Sequence, residues 1–467
     1  MGVPSPRKVF VKHQQPTLNA MRMITQINTK KIFTGLALLV IGAAYAQDNS
    51  DFKPSGNLWG YMFGDYAYKT HNDTLSRGGG NVQYKTPASL SSGNTVSASN
   101  PAPANMQTNA FQIRRVYLGY DYQFAPNLSA NLVLAHEQNV DGTGNNTMFL
   151  KYANIKWSNI FKGSDLVIGQ YQTASFATPF GTEPLWGYRS VERTIMDMHN
   201  TDASSDLGFS LQGKAWSAGP DSIKPTIIGY ALQVGNGSSA KPESDIFKKF
   251  RGNLYVSTLG QKLTVGLYGD YVPTGLVPHY HTSNMTMKVY ASFKTEKFRV
   301  GAEVFQQTNH NSDIFKVADG NGSIAAAQND TATGVQMGWS VFASASIIKN
   351  KLNIFARYDM YNPDTKWNKS NVYSAVASGI KGSNLTTATF YTQSFLTAGL
   401  DWTPNKRFHI MPNIWLNQYK TMSGTNGPSA TGGDLSKRVK SDNDMVYRVT
   451  FYFLFNGAKK VSNNGMY

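Results

Sequence analysis

From Asp51 onward, apolar and polar residues alternate in segments of about ten residues, and no 3.6-residue period is sustained. The clearest is "MVYRVTFYFLF", with Tyr447, Val449, Phe451, Phe453 and Phe455 on one face and Arg448, Thr450 and Tyr452 on the other. In Leu352–Tyr361 the residues Ile354, Ala356, Tyr358 and Met360 oppose Asn353, Arg357 and Asp359. In Asn284–Lys294 the residues Met285, Met287, Val289 and Ala291 oppose Thr286, Lys288, Ser292 and Lys294. Sixteen such strands are predicted, from Leu58–Tyr68 to Met445–Phe455, with fourteen or eighteen as neighbouring counts.

Alternation alone does not say which face meets water, because a soluble sandwich and a lipid-facing barrel share it. The connections separate the two. "APN", "LGQ", "KNK" and "TPNKR" are tight turns, whereas Lys69–Asn109, Gln172–Ser205, Thr308–Gly334, Asn362–Thr392 and Tyr419–Asp444 are long and rich in Gly, Ser, Asn and Thr. Short and long connections alternate along most of the chain, as an up-and-down barrel with short periplasmic turns and long outer loops requires. A Greek-key sandwich mixes lengths at both ends. The prediction is an all-β, transmembrane, antiparallel up-and-down β-barrel of about 16 strands. Trp157, Trp339, Trp402 and Trp415 near strand ends are expected in interfacial girdles. Two features strain this reading. "MFLKYANIKW" puts a lysine on each face, and Pro412 interrupts a strand where a bulge is expected.

Composition narrows the class. The 467 residues are 41% hydrophobic, and the only long apolar run, Ile32–Ala44, falls short of the roughly 20 residues of a spanning helix. That run follows Lys30 and Lys31 and ends in Ala44-Tyr45-Ala46, the order of a secretory signal, so residues 1–46 are expected to be removed. Residues 1–20 fit no signal, and Met21 or Met23 is a possible start. The expected organisation is a periplasmic segment over 47–57, a barrel over 58–455 and a tail over 456–467. Cysteine is absent, which excludes disulfide staples and cysteine-ligated metal. The formal charge is +16, and six Lys or Arg of the first 46 residues leave +10 on the remainder. A positive field favours anionic partners.

The third outer loop contains "YQTASFATPFGTEPLWGYRSVERT", too apolar to leave wet, and is expected to fold into the lumen. Its Glu183, Arg189, Glu192 and Arg193, with Asp197, then meet across a confined space where charge acts strongly. Strand parity adds inward cations: if Val116, Leu118, Tyr120 and Tyr122 face lipid, Arg115, Tyr117 and Asp121 face the lumen, as do Lys214, Arg251, Lys288, Lys294 and Arg357. A cation on the lipid face near mid-membrane costs roughly 2–4 kcal/mol. Pairing with Asp121, Asp270, Glu303 or Asp359 in wall salt bridges is the competing role for each cation.

"FQIRRVYLGY", "LVIGQYQTASFATPFGTE" followed by "ERT", and "YALQVGNG" resemble the phosphate-selective porin family of Gram-negative outer membranes; "FARYDMYNPD" and "GLDWTPNKRFHIMPNIW" resemble its Bacteroidetes-type members. The resemblance runs from about Phe111 to the C-terminus and implies a sixteen-stranded porin, usually a homotrimer, with the third loop in the channel. It implies outer-membrane lipid, lipopolysaccharide and small anions such as phosphate as partners. The tail "NGAKKVSNNGMY" departs from a barrel that ends on its last strand.

No cofactor, metal site or nucleic-acid partner is expected, and no H-E-x-x-H, G-x-S-x-G or phosphate-cradling loop is present. His281 and Ser283 in "YHTSN" are the one pair that resembles an outer-membrane phospholipase arrangement, set against an ordinary polar histidine in the fifth outer loop. A plugged adhesive barrel is the alternative from a different class. A plugged transporter of about 22 strands needs a longer chain.

Overall fold

The computed structural model describes residues 52–71, 73, 108–137, 147–219, 224–277, 280–317, 328–366, 391–421 and 441–455. The expected signal segment and tail lie outside them. Sixteen antiparallel strands close into one barrel, each beside its neighbours in sequence, with the last pairing on the first. They are β1 Ser55–His71, β2 Thr108–Ala125, β3 Leu128–Glu137, β4 Phe149–Phe161, β5 Ser164–Gln172, β6 Ser205–Ala218, β7 Thr226–Gly235, β8 Lys249–Thr258, β9 Leu263–Val277, β10 Tyr280–Lys294, β11 Phe298–Val317, β12 Gln328–Ile348, β13 Leu352–Asn362, β14 Tyr391–Asn405, β15 Phe408–Thr421 and β16 Ser441–Phe455. Full closure leaves no unpaired edge, so every strand finds its hydrogen bonds within the sheet.

The alternation turns apolar side chains outward and polar ones inward. Tyr447, Val449 and Phe453 are exposed, while Arg448, Thr450 and Tyr452 between them are buried. Ile354 and Tyr358 are exposed around buried Arg357, and Met287 and Val289 around buried Lys288. The inner face is thus the polar one, the reverse of a soluble sandwich core.

Two bulges correct the parity of the sequence. Phe63 pairs with Arg115 and Gly64 with Ile113, so Arg114 is an extra residue in β2. Both arginines are buried, although simple alternation sends Arg114 to lipid. In β4, Val133 pairs with Tyr152 and Leu134 with Leu150, leaving Lys151 extra. The bulge turns Lys151 inward while Ile155 faces out, so the lysines of "MFLKYANIKW" no longer fall on opposite faces. Pro412 has no bulge. It keeps its register with Val449 of β16, while its ladder with β14 is interrupted between Asn413 and Ile410.

Two further expectations change. Trp415 is buried in the lumen rather than in a girdle, whereas Trp402 and Trp339 do face outward. The fifth outer loop is a continuation of strands: β9 and β10 pair out to Val277 and Tyr280, with His281 opposite Leu276.

Candidate functional site

The connection from β5 to β6 folds into the barrel. Two short helices form there, α1 Thr182–Trp186 and α2 Ile195–Met198. Gly187 ends α1 at φ 76°, and its amide donates to the Glu183 carbonyl. That left-handed conformation suits glycine, and the Arg299 guanidinium fills the space where a Cβ would lie. Phe176, Trp186, Val191, Ile195 and Met196 are almost fully buried, which accounts for the apolar residues of this loop.

The loop is tied to the β7–β15 wall. Gln233 accepts the Ala174 amide at 2.8 Å, and Lys288 donates to the Ser175 carbonyl and to Thr182 Oγ1. Arg299 donates to the Trp186 carbonyl at 3.1 Å, Arg357 to the Arg193 carbonyl, and Gln307 to the Thr201 carbonyl at 3.1 Å. Trp415 Nε1 donates to Glu192 Oε2 at 2.8 Å. Asp202 closes the set: Lys249 lies at 2.9 Å, Arg251 Nε at 2.8 Å and the Tyr268 hydroxyl at 3.0 Å. Toward the β1–β4 wall, Arg114 donates to the Ser190 and Val191 carbonyls and Tyr152 to the Ser204 carbonyl.

Between the loop and that second wall the space narrows to a cavity of about 20 Å³ lined by Trp59, Tyr61, Tyr117, Lys151, Glu183 and Arg189, among others. It is about the size of one water. Arg189 spans Glu183 at 3.0 Å and Asp197 at 3.1 Å within the loop. On the wall, Glu137 joins Arg115 and Lys151 and accepts the Tyr117 hydroxyl at 2.6 Å.

The structure therefore sorts the expected site residues into three groups. Glu183 and Arg189 line the constriction, and Arg115 is held on the wall by Glu137. Arg193 and Glu192 form the turn of the loop against β13 and β15, while Arg251, Lys288 and Arg357 hold it from the far wall. Arg251 also pairs with Asp206 at 2.6 Å, Lys288 with Glu303 at 3.5 Å, and Arg357 with Asp359. Lys214 stands apart, exposed near the short-turn end of β6. Each buried cation among them has a carboxylate partner. Arg114, Lys151 and Asp202 were missed by the sequence reading. The signal for the first two was a cation that broke the alternation.

Charges in the loop respond unequally to burial. Burial pushes the Glu183 carboxyl above the ordinary range, with Asp197 adding to it and Arg189 opposing. Burial also raises Glu192, but Arg193, Arg448 and Arg114 outweigh it and hold that carboxyl down at about 2. Burial lowers His199 to about 3, helped by Arg193 and Arg357, so it is neutral while stacked on Tyr361 at 3.5 Å.

His281 is exposed on β10 and Ser283 is buried two residues along.

Neither a family model nor a curated protein matches the sequence. Solved structures are similar in fold. The outer membrane channel DcaP of Acinetobacter baumannii is 12% identical with a TM-score of 0.51, covering 86% of this chain and 97% of its own. An anion-selective porin from Comamonas acidovorans is 11% identical with a TM-score of 0.48, covering 86% and 100%. OmpF of Salmonella typhi, in complex with daunomycin, is 12% identical with a TM-score of 0.47, covering 86% and 97%.

Proposed function

We propose that the chain is an outer-membrane porin that passes small hydrophilic solutes by diffusion, with a modest preference for phosphate or other small anions, and that it has no enzymatic role. The observation that carries this reading is a closed sixteen-strand barrel, apolar outside and polar inside, narrowed by one infolded loop. Its apolar band suits lipid, with lipopolysaccharide around the long-loop end and two further copies completing a trimer. The buried cations of the lumen are matched by carboxylates, so the anion preference rests on the excess of exposed cations at the mouth. The buried fit of the loop favours a second reading, a closed structural or adhesive barrel.

Reconstitution in a planar bilayer decides between them. Stepwise current with a reversal potential displaced toward anions supports the channel. A correctly inserted but silent protein supports the closed barrel.

A further inference from the structure

Between the infolded loop and the short-turn end of the lumen lies a further cavity, of about 260 Å³. Tyr188 and Ser190 of the loop border it, with Met411 and Tyr452 of the wall. Its two sides carry opposite charge, Lys294 and Arg299 on β10 and β11 and Asp401 on β14. Ser344 and Ser346 of β12 and Asn353 of β13 line the wall between them.

Lys294 and Asp401 both have contacts left to make. Lys294 Nζ has no hydrogen bond or ion pair among the described residues, and Arg299 beside it donates to the neutral Trp186 carbonyl at 3.1 Å. Asp401 is 4% exposed. Its Oδ1 is met by His409 Nδ1 at 2.8 Å and by Thr403 Oγ1 at 3.5 Å. Its Oδ2 is reached among the described residues only by Asn353 at 3.4 Å and by the Tyr188 hydroxyl at 3.5 Å. Strong hydrogen bonds to a carboxylate close to about 2.5–2.9 Å. A nearly buried carboxylate oxygen with long contacts alone is unfavourable until a cation or a strong donor meets it.

A free anion suits Lys294 but meets repulsion at Asp401, and a free cation meets the reverse. A molecule with a cation at one end and an anion at the other suits both sides. Strand register sets its length. Arg299 pairs with Ser344, and Asn353 pairs with Ser346 and with Asp401. Three strand spacings, about 14 Å of curved wall, therefore separate the charges, and the long cationic side chains reach across part of it. An extended tripeptide, at about 3.3–3.6 Å per residue, sets its ammonium and its carboxylate about 10 Å apart. Its amides match the serine hydroxyls and the Asn353 amide, which both donate and accept. Resting on the channel reading above, we infer that short peptides with free termini bind in this cavity, with the ammonium on Asp401 Oδ2 and the carboxylate on Lys294 and Arg299.

Trialanine is the probe, beside N-acetyl-trialanine, which lacks the ammonium, and trialanine amide, which lacks the carboxylate. In a planar bilayer trialanine blocks the ion current reversibly at about one-tenth of the concentration that either capped peptide needs. Asp401→Asn raises the half-blocking concentration of trialanine about tenfold and leaves that of the acetylated peptide unchanged. Lys294→Gln also raises it about tenfold and leaves that of the amide unchanged. The ion current of each variant reports its folding. An open channel blocked equally by the three peptides or by none, or variants that shift all three alike, overturns the peptide site and leaves the channel intact. A protein silent in the bilayer overturns the channel reading instead. Calorimetric titration of the detergent-solubilised protein with the same peptides then decides the site, which falls if trialanine gives no more binding heat than its capped forms.

Discussion

Arg114 shows how one residue is fitted into a wall that alternation assigns to lipid. Its bulge turns it against Asp65, which is fully buried and also accepts Thr450 Oγ1 at 2.6 Å. Removing the cation strands a buried carboxylate, at a cost of about 3–5 kcal/mol. Arg114→Ala is therefore expected to lower stability by that order in urea unfolding from lipid vesicles, and Arg114→Ala with Asp65→Ala together to lose much less. Equal losses in the single and double variants would show that the ion pair does not hold the bulge. The acid response belongs to Glu183. Because its pKa is raised, falling pH neutralises it before ordinary glutamates, and the constriction loses a negative charge while Arg189 stays positive. Anion preference is expected to rise as pH falls through the upper acid range, and Glu183→Gln to abolish that rise in reversal-potential measurements. Glu192, held at about 2, and neutral His199 stay unchanged there.

At the scale of elements, much was legible in the sequence because lipid enforces strand parity and tight turns mark one end. Parity was lost where a bulge added a residue, at Arg114 and Lys151, since a shift of one looks like a misplaced cation. In residues 273–283 the alternation that marks a strand is missing for a different reason. Beyond the lipid slab neither face of a hairpin needs to be apolar, so β9 and β10 continue there without alternation. The infolding of the β5–β6 connection followed from its rings, but the wall that holds it did not. Asp202 and its partners Lys249 and Arg251 are far apart in sequence, and local pattern carries no information about their meeting. That anchor is testable. Asp202→Ala leaves two buried cations short of a partner and should release about 3 kcal/mol of anchoring, raising the mean single-channel conductance and its fluctuations. A conductance identical to that of the parent would place the anchor elsewhere on the β7–β15 wall.

At the scale of the whole molecule, the described residues divide charge between the two ends of the barrel. At the short-turn end the described residues include Lys162, Lys224, Lys262, Lys297, Lys349, Lys351, Lys406 and Arg407, against Asp165 and Glu296 at the same turns. At the long-loop end the described residues include Lys241, Lys248, Lys366 and Lys420 beside Glu243, Asp245, Asp364 and Asp442. Lumen ion pairs add little net field, so a basic mouth is the larger source of anion accumulation. Such accumulation is screened by salt: the Debye length is about 10 Å at 0.1 M and about 3 Å at 1 M. Replacing Lys349, Lys351, Lys406 and Arg407 by glutamine is expected to reduce anion preference clearly at 0.1 M, while variant and parent converge at 1 M. A variant that keeps its preference at 0.1 M would move the origin of selectivity from the mouth to the constriction, where Arg115, Lys151 and Arg189 then become the groups to neutralise.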